Sequence, residues 1–410
     1  MSNAVSFLKY GDVAEFRNGL NFSKDSHGKG CKFIGVADFK DNFTPQWELL
    51  GEINPSGVAR KEDYLESGDI IFVRSNGNKS LVGRSLYIDR NEKSLYSGFC
   101  IRARLKKDDF LPLFLAYYTR TNFFKSAITS VAGTNINNLN QDILGNVMIP
   151  HYSIEIQKSI VDVLSSIDEK IAINNRINAE LEAMAKMLYD YWFVQFDFPD
   201  ANGKPYKTSG GKMEYNAMLK REIPAGWAVN TLSQIANITM GQSPAGESYN
   251  EDGIGTLFFQ GSTDFGWLFP TPRQYTTSPA RMAKKGDILL SVRAPVGDMN
   301  IANADCCIGR GLAALNSKSR SDGFLFYVMK YFKQVFDRRN AEGTTFGSMT
   351  KDDLHSLQVV CPEPGLLKRY DDIVSEYNKM IFTRSLENQD LIKLRDWLLP
   401  LLMNGQITVK

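Results

Sequence analysis

The residues with the clearest chemistry are hydrogen-bonding groups on short side chains, and they occupy matching places in the two halves of the chain. Arg74-Ser-Asn-Gly-Asn-Lys79 follows the apolar run Ile70–Val73, and Arg84 lies just beyond it. Val292-Arg293-Ala-Pro-Val-Gly297 follows a similar run in the second half. Amides, hydroxyls and arginine can recognise base edges in a DNA groove. A solvated turn, with Gly and Asn present for the backbone, is an equally good interpretation. The candidate DNA-binding residues here are Arg74, Ser75, Asn76, Asn78, Lys79, Arg84 and Arg293.

A second pair of segments combines glycine with hydroxyls and amides that could hold phosphates. These segments are Gly133-Thr-Asn-Ile-Asn-Asn138 and Gly343-Thr-Thr-Phe-Gly-Ser348. The alternative, which we slightly prefer, is a loop that caps the following turn through Asn140 or Thr350. A third, weaker pair lies at residues 17–18 and 242–243. The candidates from these two pairs are Thr134, Asn135, Thr344, Thr345, Ser348, Arg17 and Gln242.

The sequence lacks the patterns that form catalytic or metal sites. It contains no Asn-Pro-Pro-Tyr/Phe tetrad, no glycine-rich loop positioned for S-adenosylmethionine and no GxxxxGK[ST] phosphate loop. Its 3 histidines are dispersed, and its 5 cysteines include no CxxC pair, which suits a reducing compartment. Asp168-Glu-Lys170 lies within a helical pattern and is interpreted as solvated. We expect no catalytic residues, no metal and no cofactor on this chain.

Composition places the chain among cytoplasmic globular proteins. The hydrophobic share is 43% and the charged share 23%. No apolar run approaches the roughly 18–20 residues of a membrane span, so we expect no membrane association. The net charge of +2 does not indicate a strongly basic nucleic-acid binder. Any affinity for phosphate would therefore need local clustering of basic residues or help from a partner.

The candidate residues lie on two copies of one module. Gly68-Asp-Ile70 returns as Gly286-Asp-Ile288, 218 residues later. Beyond Gly133 and Gly343 the offset holds at 210, and the identical pairs are Asp142/Asp352, Leu144/Leu354, Lys158/Lys368, Asp162/Asp372, Ile171/Ile381, Leu181/Leu391 and Leu188/Leu398. Such a period is too long for a solenoid, whose repeats run roughly 20–50 residues. Two modules related by a pseudo-twofold axis would present two similar binding surfaces, and the commonest ligand with two such surfaces at a fixed spacing is duplex DNA.

A long helix with a heptad pattern follows each module, the first from Glu155 to about Val194. A period of about 3.5 residues over five heptads favours an antiparallel coiled coil, and one such helix would span roughly 60 Å. The first core position holds Ile160, Ile167, Asn174, Leu181 and Leu188, and in the second helix Tyr370, Tyr377, Arg384, Leu391 and Leu398. The second core position, three residues later, holds Val163, Lys170, Ile177, Met184 and Tyr191, and Ile373, Met380, Glu387, Leu394 and Leu401.

Asn174 and Arg384 occupy equivalent core positions in this pattern, beside Lys170 and Glu387. One interpretation is a central polar layer that fixes the register between the two helices. The other is that these side chains extend to solvent at the edge of a loose seam. The pattern leaves both open.

Each module reads as mixed α/β. Strand-like runs include Lys32–Ala37 and Leu86–Ile88, and a helical stretch covers Leu111–Ser130. Phe324–Phe336 is the helical counterpart in the second module. The polar stretch from Phe198 to Lys220 is predicted to be a connector. The second module then begins at Ile223-Pro-Ala-Gly-Trp227.

Several strings resemble the specificity subunit of a Type I restriction-modification system. Ile223–Trp227 resembles that family's entry into its recognition domains, and Trp192–Pro199 resembles the end of its first long helix. Gly133-Thr134, with Ile149-Pro150, resembles its passage from recognition domain to helix, and Leu394–Ile407 resembles its C-terminal tail. The sequence departs from the pattern by having Val5 in place of a tryptophan, and Cys361-Pro-Glu-Pro-Gly365 at the second boundary.

The resemblance implies an α+β fold with two target-recognition domains, related by a pseudo-twofold axis and joined by the two helices. It predicts a recognition domain at 1–150, a spacer helix at 151–200, a connector and second domain at 201–362, and a second helix and tail at 363–410. It also implies double-stranded DNA as ligand, bound as an asymmetric bipartite target whose gap is set by the helices. The implied partners are two modification (methyltransferase) subunits and a restriction/translocase subunit. S-adenosylmethionine, ATP and Mg would reside only on those partners.

Two rival functions remain open at this point. The chain could be a similar recognition module of another modification or phage-defence enzyme, which would differ only in its partners. It could instead be a coiled-coil scaffold whose modules have lost any DNA role. Neighbouring genes for a methyltransferase and a helicase-translocase would distinguish a Type I subunit from the first rival. Affinity for duplex DNA that falls as salt rises would exclude the scaffold.

Overall fold

A computed structural model describes residues 6–40, 42–78, 81–132, 138–293, 295–341 and 348–409. It has the α+β composition expected from the sequence, with two mixed modules and two long helices. The chain divides into two compact units. Unit 1 comprises Met1–Ile171 and Asp390–Lys410, and unit 2 comprises Ala172–Gln389. The division differs from the predicted segments because each long helix contributes to both units.

Unit 1 is built around a four-stranded antiparallel sheet in the order β2-β8-β5-β6, with a smaller sheet β4-β3-β7 and a pair β1-β9. Its elements are β1 (Ser6–Lys9), α1 (Tyr10–Val13), β2 (Ala14–Asn18), β3 (His27–Ile34), β4 (Glu52–Ile53), β5 (Ile70–Val73), β6 (Ser85–Tyr87), β7 (Ser94–Tyr96), β8 (Cys100–Leu105), α2 (Pro112–Tyr118), α3 (Asn122–Ala132), α4 (Gln141–Asn146), β9 (Met148–His151) and the beginning of α5 (Ile154–Tyr189).

Strand β5 shows why this sheet is buried on both faces. Its four residues are apolar and fully buried, and alternate side chains point to opposite faces. Ile70 and Phe72 pack into a core with helices α2 and α3. Ile71 and Val73 pack into a second core with the smaller sheet. A continuous apolar run, without polar alternation, is what a strand between two layers needs.

Unit 2 repeats the plan, with a four-stranded sheet in the order β13-β21-β18-β19. Its elements after the end of α5 are a π-helical turn (Asp190–Val194), β10 (Met213–Asn216), β11 (Arg221–Pro224), β12 (Ala228–Thr231), α6 (Leu232–Ile235), β13 (Ala236–Met240), β14 (Tyr249–Asn250), β15 (Thr256–Phe259), β16 (Gln274–Thr276), β17 (Met282–Ala283), β18 (Ile288–Ser291), β19 (Met299–Ile301), β20 (Cys306–Ile308), β21 (Leu312–Ser317), α7 (Asp322–Ala341), α8 (Lys351–His355), β22 (Gln358–Cys361) and the beginning of α9 (Pro364–Met403). The second sheet is β14-β16-β15-β20-β17, and β10-β11 and β12-β22 form pairs.

The helical stretch predicted at Leu111–Ser130 is two helices rather than one. The break falls at Thr119–Thr121, between α2 and α3. The Thr119 and Thr121 hydroxyls donate to the carbonyl oxygens of Ala116 and Tyr118, each at 2.7 Å. Threonine hydroxyls that bond the backbone locally compete with helix continuation. The equivalent stretch in unit 2 forms the single helix α7.

The segment predicted as a connector is folded. Strands β10 and β11 lie within or beside it and pair antiparallel. Phe198 stacks on Tyr206 with ring centroids 4.6 Å apart, and on Trp227 at 5.0 Å. The polar residues of the segment outnumber these aromatics, so its sequence did not indicate that the aromatics attach it to the core of unit 2. Val5 lies outside the described residues.

The long helices pack antiparallel within each unit, but the seam differs from the predicted heptad. In unit 1 the Arg395 guanidinium donates to Asp168 at 2.9 Å, and the Tyr152 hydroxyl donates to the Met403 carbonyl at 3.2 Å. In unit 2 the Tyr370 hydroxyl donates to the Ala185 carbonyl at 3.2 Å. Within each unit, residue numbers therefore rise along one helix as they fall along the other.

The first core position is buried at four of its five residues in α5, whereas in α9 only Tyr370 is buried. Ile160, Ile167, Asn174 and Leu181 are buried, whereas Leu188, Tyr377, Arg384, Leu391 and Leu398 are half-buried. The predicted second position is wrong in both helices, because the buried residues lie four positions after the first rather than three. These residues are Leu164, Asn178 and Ala185 in α5, and Val374, Ile381, Asn388 and Leu402 in α9. Spacings of three and of four residues both keep a side chain near the same helical face, and the sequence has apolar residues at both spacings. The pattern alone therefore could not choose between them.

A polar layer is present in unit 2, but Arg384 is outside it. The amide nitrogen of buried Asn174 donates to Glu387 and to Asn388, both at 2.8 Å. The amide of Asn388 donates to Asn175 at 2.9 Å. The Arg384 guanidinium instead donates to the Met380 carbonyl of its own helix at 3.1 Å. The buried residue is Asn388, one residue after the predicted second core position at Glu387. Asn388, rather than Arg384, therefore lies opposite Asn174.

We expect the substitution Asn388→Ala to destabilise unit 2 by about 1–3 kcal/mol, because it removes the hydrogen bond between the buried side chains of Asn174 and Asn388 and leaves Glu387 as the acceptor for the Asn174 amide. The matched change Arg384→Ala should alter stability by less than about 0.5 kcal/mol, since it removes only a partly exposed contact within one helix. Urea unfolding followed by circular dichroism measures both effects. Equal shifts of the midpoint would contradict this assignment of the polar layer.

Candidate nucleic-acid interface

In unit 1 the described residues of the three candidate segments border one end of the main sheet. Because neighbouring strands are antiparallel, β2 and β5 end where β8 begins. The Gly19 amide donates to the Cys100 carbonyl at 3.0 Å, and the Arg74 amide donates to the Phe99 carbonyl at 2.8 Å. The Leu139 amide donates to the Arg74 carbonyl at 2.8 Å. Residues 17–18, 74–78 and 138–139 therefore border one surface.

The segment after β5 forms a closed loop at this surface. The Gly83 amide donates to the Val73 carbonyl at 2.9 Å, and the Asn78 amide donates to the side-chain oxygen of Asn76 at 2.8 Å. Arg74, Ser75 and Asn76 are half-buried, and Asn78 is exposed. The candidates Lys79, Thr134, Asn135, Thr344 and Thr345 lie outside the described residues.

Two predicted DNA-binding arginines are already engaged inside unit 1. The Arg17 guanidinium contacts the Asp63 carboxylate at 2.7 Å through both Nε and Nη2. This hydrogen bond raises the pKa of the Arg17 guanidinium above its usual value. The Arg84 guanidinium donates to the Lys40 carbonyl at 2.6 Å. A phosphate contact by either arginine would compete with these bonds.

Further basic groups of unit 1 are internal. The Arg104 guanidinium makes two 2.7 Å hydrogen bonds to Asp69 and one of 2.8 Å to Glu66. Arg102, which is fully buried, donates to the Glu62 carbonyl at 2.8 Å. Because these charges are used inside the fold, the formal charge of the unit overstates the charge available to phosphates.

Unit 2 brings its described candidates, Gln242, Arg293 and Ser348, to the equivalent end of its main sheet. The Gly241 amide donates to the Leu312 carbonyl at 2.9 Å, next to exposed Gln242. The Val292 carbonyl accepts the Met349 amide at 2.8 Å, and Arg293 pairs with Ser348 in an antiparallel bridge. Arg293 and Ser348 are exposed.

The capping interpretation of the second pair of segments is also confirmed. The Asn140 side chain accepts the Ile143 amide at 2.7 Å, and the Thr350 hydroxyl accepts the Asp353 amide at 3.2 Å. These residues begin α4 and α8. Capping and a place beside the interface are compatible, because the caps follow the candidate loops directly.

Sequence reasoning missed two residues at this end of the sheets. Phe99, 58% exposed, lies in the turn that enters β8. Exposed Arg310 lies in the turn that enters β21. The sequence around Phe99, with a single neighbouring glycine, does not indicate that its side chain is exposed. The glycines on both sides of Arg310 were the available signal, because they indicate close approach of neighbouring backbone.

A separate surface lies on the long helices, and it is repeated at the offset of 210. In unit 2, α5 exposes Met184 by 49% and Met187 by 70%. In unit 1, α9 exposes the equivalent residues Leu394 by 42% and Trp397 by 62%. Met184 and Leu394 belong to the predicted core position that the helices do not bury. Exposed apolar groups that recur in both copies indicate an interaction surface.

A family model for the Type I restriction modification DNA specificity domain matches residues 4–183 and 224–379. The two matches cover both modules, most of α5 and the first part of α9. The chain belongs to this family of specificity subunits. Its membership confirms the resemblance seen in the sequence and the duplication of the recognition domain.

Individual relatives agree with this assignment. The chain is 30% identical to the MjaX specificity subunit of Methanocaldococcus jannaschii over 97% of this chain and 92% of the relative. It is 23% identical to the HindI specificity subunit of Haemophilus influenzae, over 92% and 94%. The solved S subunit from M. genitalium shares the fold, with a TM-score of 0.60 and 15% identity over 98% of this chain and 97% of that one.

The described part of this specificity subunit offers no obvious metal site. No group of three or more His, Cys, Asp or Glu side chains within it could hold a metal ion. The cysteines Cys31, Cys100, Cys306 and Cys307 are buried thiols, and burial raises the pKa of Cys100 and of Cys306 to about 12. None of the helices described in the structure is long and apolar enough to span a membrane.

The geometry makes Arg293, and not Arg17, the candidate for a phosphate contact. We expect Arg293→Ala to reduce the slope of log affinity for duplex DNA against log salt by about 1, as removal of one phosphate contact does. Arg17→Ala should leave that slope unchanged, because the Arg17 charge is held by Asp63. Fluorescence anisotropy of the assembled complex on duplex DNA, across a salt series, measures both. A smaller slope for Arg17→Ala alone would reverse the assignment.

Proposed function

We propose that this chain recognises an asymmetric bipartite sequence in double-stranded DNA, with one half-site bound by the sheet end of each unit. The observation that carries the proposal is that two sheets of the same topology bring loops together at the same end but display different side chains there. Unit 1 displays Asn76, Asn78 and Phe99, whereas unit 2 displays Arg293 and Arg310. Similar surfaces with unlike donors fit two unlike half-sites.

The long helices are proposed to set the gap between the half-sites. Helix α5 has 36 residues and α9 has 40, which corresponds to roughly 54–60 Å of helix. Each helix contributes to both units, and the polar layer of Asn174 and Asn388 fixes the register of one helix on the other in unit 2. A fixed register is what a spacer of defined length requires.

The repeated apolar surface is proposed to bind two copies of the modification (methyltransferase) subunit. The surface is defined by Met184 and Met187 on α5, and by Leu394 and Trp397 on α9. One partner that recognises the first pair would recognise the second, because exposed apolar side chains occupy equivalent helical positions. Methylation and cleavage would be performed by the modification and restriction/translocase subunits. Those partners would carry S-adenosylmethionine, ATP and Mg, and the complex would act in the cytoplasm.

The central test is to express the chain with its modification subunit and to map methylated bases across a host genome. The proposal predicts one split motif with two different specific halves and a fixed gap. A matched culture that lacks this chain is the control, and it should show no such motif. A continuous short motif, or loss of sequence specificity, would overturn the proposal.

The role of the helices as a spacer can be tested by lengthening both. Insertion of one heptad into α5 and one at the opposing point of α9 adds roughly 10.5 Å, or about three base pairs. We expect the unspecific gap of the methylation motif to grow by about that amount, while both half-sites stay the same. Circular dichroism and complex formation report whether the variant folds. An unchanged gap in a folded, active variant would show that the helices do not set it.

Partner binding can be tested with charges placed on the repeated surface. Met187→Asp and Trp397→Asp should each reduce the number of bound modification subunits from two to one, since each buries a charge at one of the two sites. The matched control is Ile173→Asp, because Ile173 is 46% exposed on α5 but its counterpart, Thr383, is polar. Native mass spectrometry of the complex gives the stoichiometry. Two bound copies in both test variants would exclude this surface.

A further inference from the structure

The turns that enter β8 and β21 occupy equivalent places but carry different chemistry. Ser97-Gly-Phe99 precedes β8, and Gly309-Arg-Gly311 precedes β21. The Arg74 amide donates to the Phe99 carbonyl at 2.8 Å, and the Val292 amide donates to the Gly311 carbonyl at 2.9 Å. Each turn is therefore held beside the principal candidate loop of its unit, at the end of the main sheet.

The backbone of the first turn is fixed by its hydrogen bonds. The Ser97 amide donates to the Ile34 carbonyl at 3.0 Å, and the Gly98 amide donates to the Leu20 carbonyl at 2.8 Å. The Phe99 amide donates to the Ser97 hydroxyl at 3.2 Å. A Cβ at Gly98 would lie 2.2 Å from the Asn21 side chain, so this backbone is tightly packed. The ring of Phe99 nevertheless stays largely in solvent.

The second turn is fixed equally well and exposes a cation. The Gly309 and Gly311 amides donate to the carbonyls of Phe259 at 2.8 Å and Gln260 at 3.2 Å. The Arg310 amide donates to the Ser243 hydroxyl at 3.3 Å. The exposed Arg310 guanidinium has no hydrogen bond or ion pair within the described ranges of the chain.

We propose that this turn is a specificity determinant in both units, which recognises thymine in the half-site of unit 1 and guanine in the half-site of unit 2. The inference rests on the proposed DNA-binding function. Phenylalanine has no hydrogen-bonding group, and its specific contact in the major groove is with the C5-methyl group of thymine. Arginine pairs bidentately with O6 and N7 of guanine. Rigid backbones restrict each side chain to one base position, which discrimination requires.

The first experiment compares methylation motifs of complexes that contain the wild-type chain, Phe99→Ala or Arg310→Ala. Phe99→Ala should relax one position, a thymine, in one half-site only. Arg310→Ala should relax one guanine position in the other half-site, by roughly tenfold or more in relative methylation. The matched controls are Phe7→Ala, an exposed phenylalanine on β1, and Arg320→Ala, an exposed arginine beyond the opposite end of β21. Both controls should leave the motif unchanged.

The second experiment tests the contacts directly, by binding of the complex to synthetic duplexes. Replacement of the assigned thymine by deoxyuridine removes one methyl group, and should weaken wild-type binding about fourfold. The Phe99→Ala complex should bind both duplexes equally. Arg310→Lys keeps the charge without the planar guanidinium, so it should retain affinity for unrelated duplex while its preference for guanine weakens.

These outcomes separate the inference from the proposed function. A split motif that neither Phe99→Ala nor Arg310→Ala relaxes would overturn the inference and leave the proposed function standing. Equal wild-type affinity for the thymine and deoxyuridine duplexes would overturn the methyl contact. Absence of a split motif for the wild-type complex would overturn both.

Discussion

The antiparallel pairing of one central strand in each unit, β8 in unit 1 and β21 in unit 2, determines where the candidate interface lies. Each of these strands pairs with a neighbour on either side, and both neighbours end where the central strand begins. Segments that are 50 or more residues apart in the sequence therefore meet at one edge. The apolar runs β5 and β18 make this possible, because burial on both faces holds the sheet between two layers.

Much of this arrangement was predictable from the chain alone, because repetition supplied an internal comparison. The constant offset of 210 located both long helices and both passages from module to helix. The apolar runs at Ile70 and Ile288 located strands β5 and β18, and the polar residues after them indicated the candidate interface. Such features depend on local pattern and on duplication. Both survive without any knowledge of which strands are neighbours.

The failures have a common physical cause, since each depended on contacts between distant residues. Spacings of three and four both keep residues on one helical face, and apolar side chains occupied both. Only packing against the second helix decides between them, and it selected Asn388 over Arg384. In the same way, Arg17 looked available for DNA in the sequence, but its guanidinium is hydrogen-bonded to the carboxylate of Asp63, which lies 46 residues away. Phe99 carried no signal because exposure is a property of the folded sheet end.

The misplaced heptad position explains the exposed apolar residues of the helices. Met184 and Leu394 fit a core pattern in the sequence, yet both are exposed, as are their neighbours Met187 and Trp397. Exposure forgoes roughly 1.5–3 kcal/mol of hydrophobic stabilisation for each large side chain. A chance exposure would not be expected at equivalent positions of both copies, when the recognition loops have diverged freely. The two helical faces thus divide the apolar residues between them: one face forms the antiparallel pair, and the other is the exposed surface that we propose for the modification subunits.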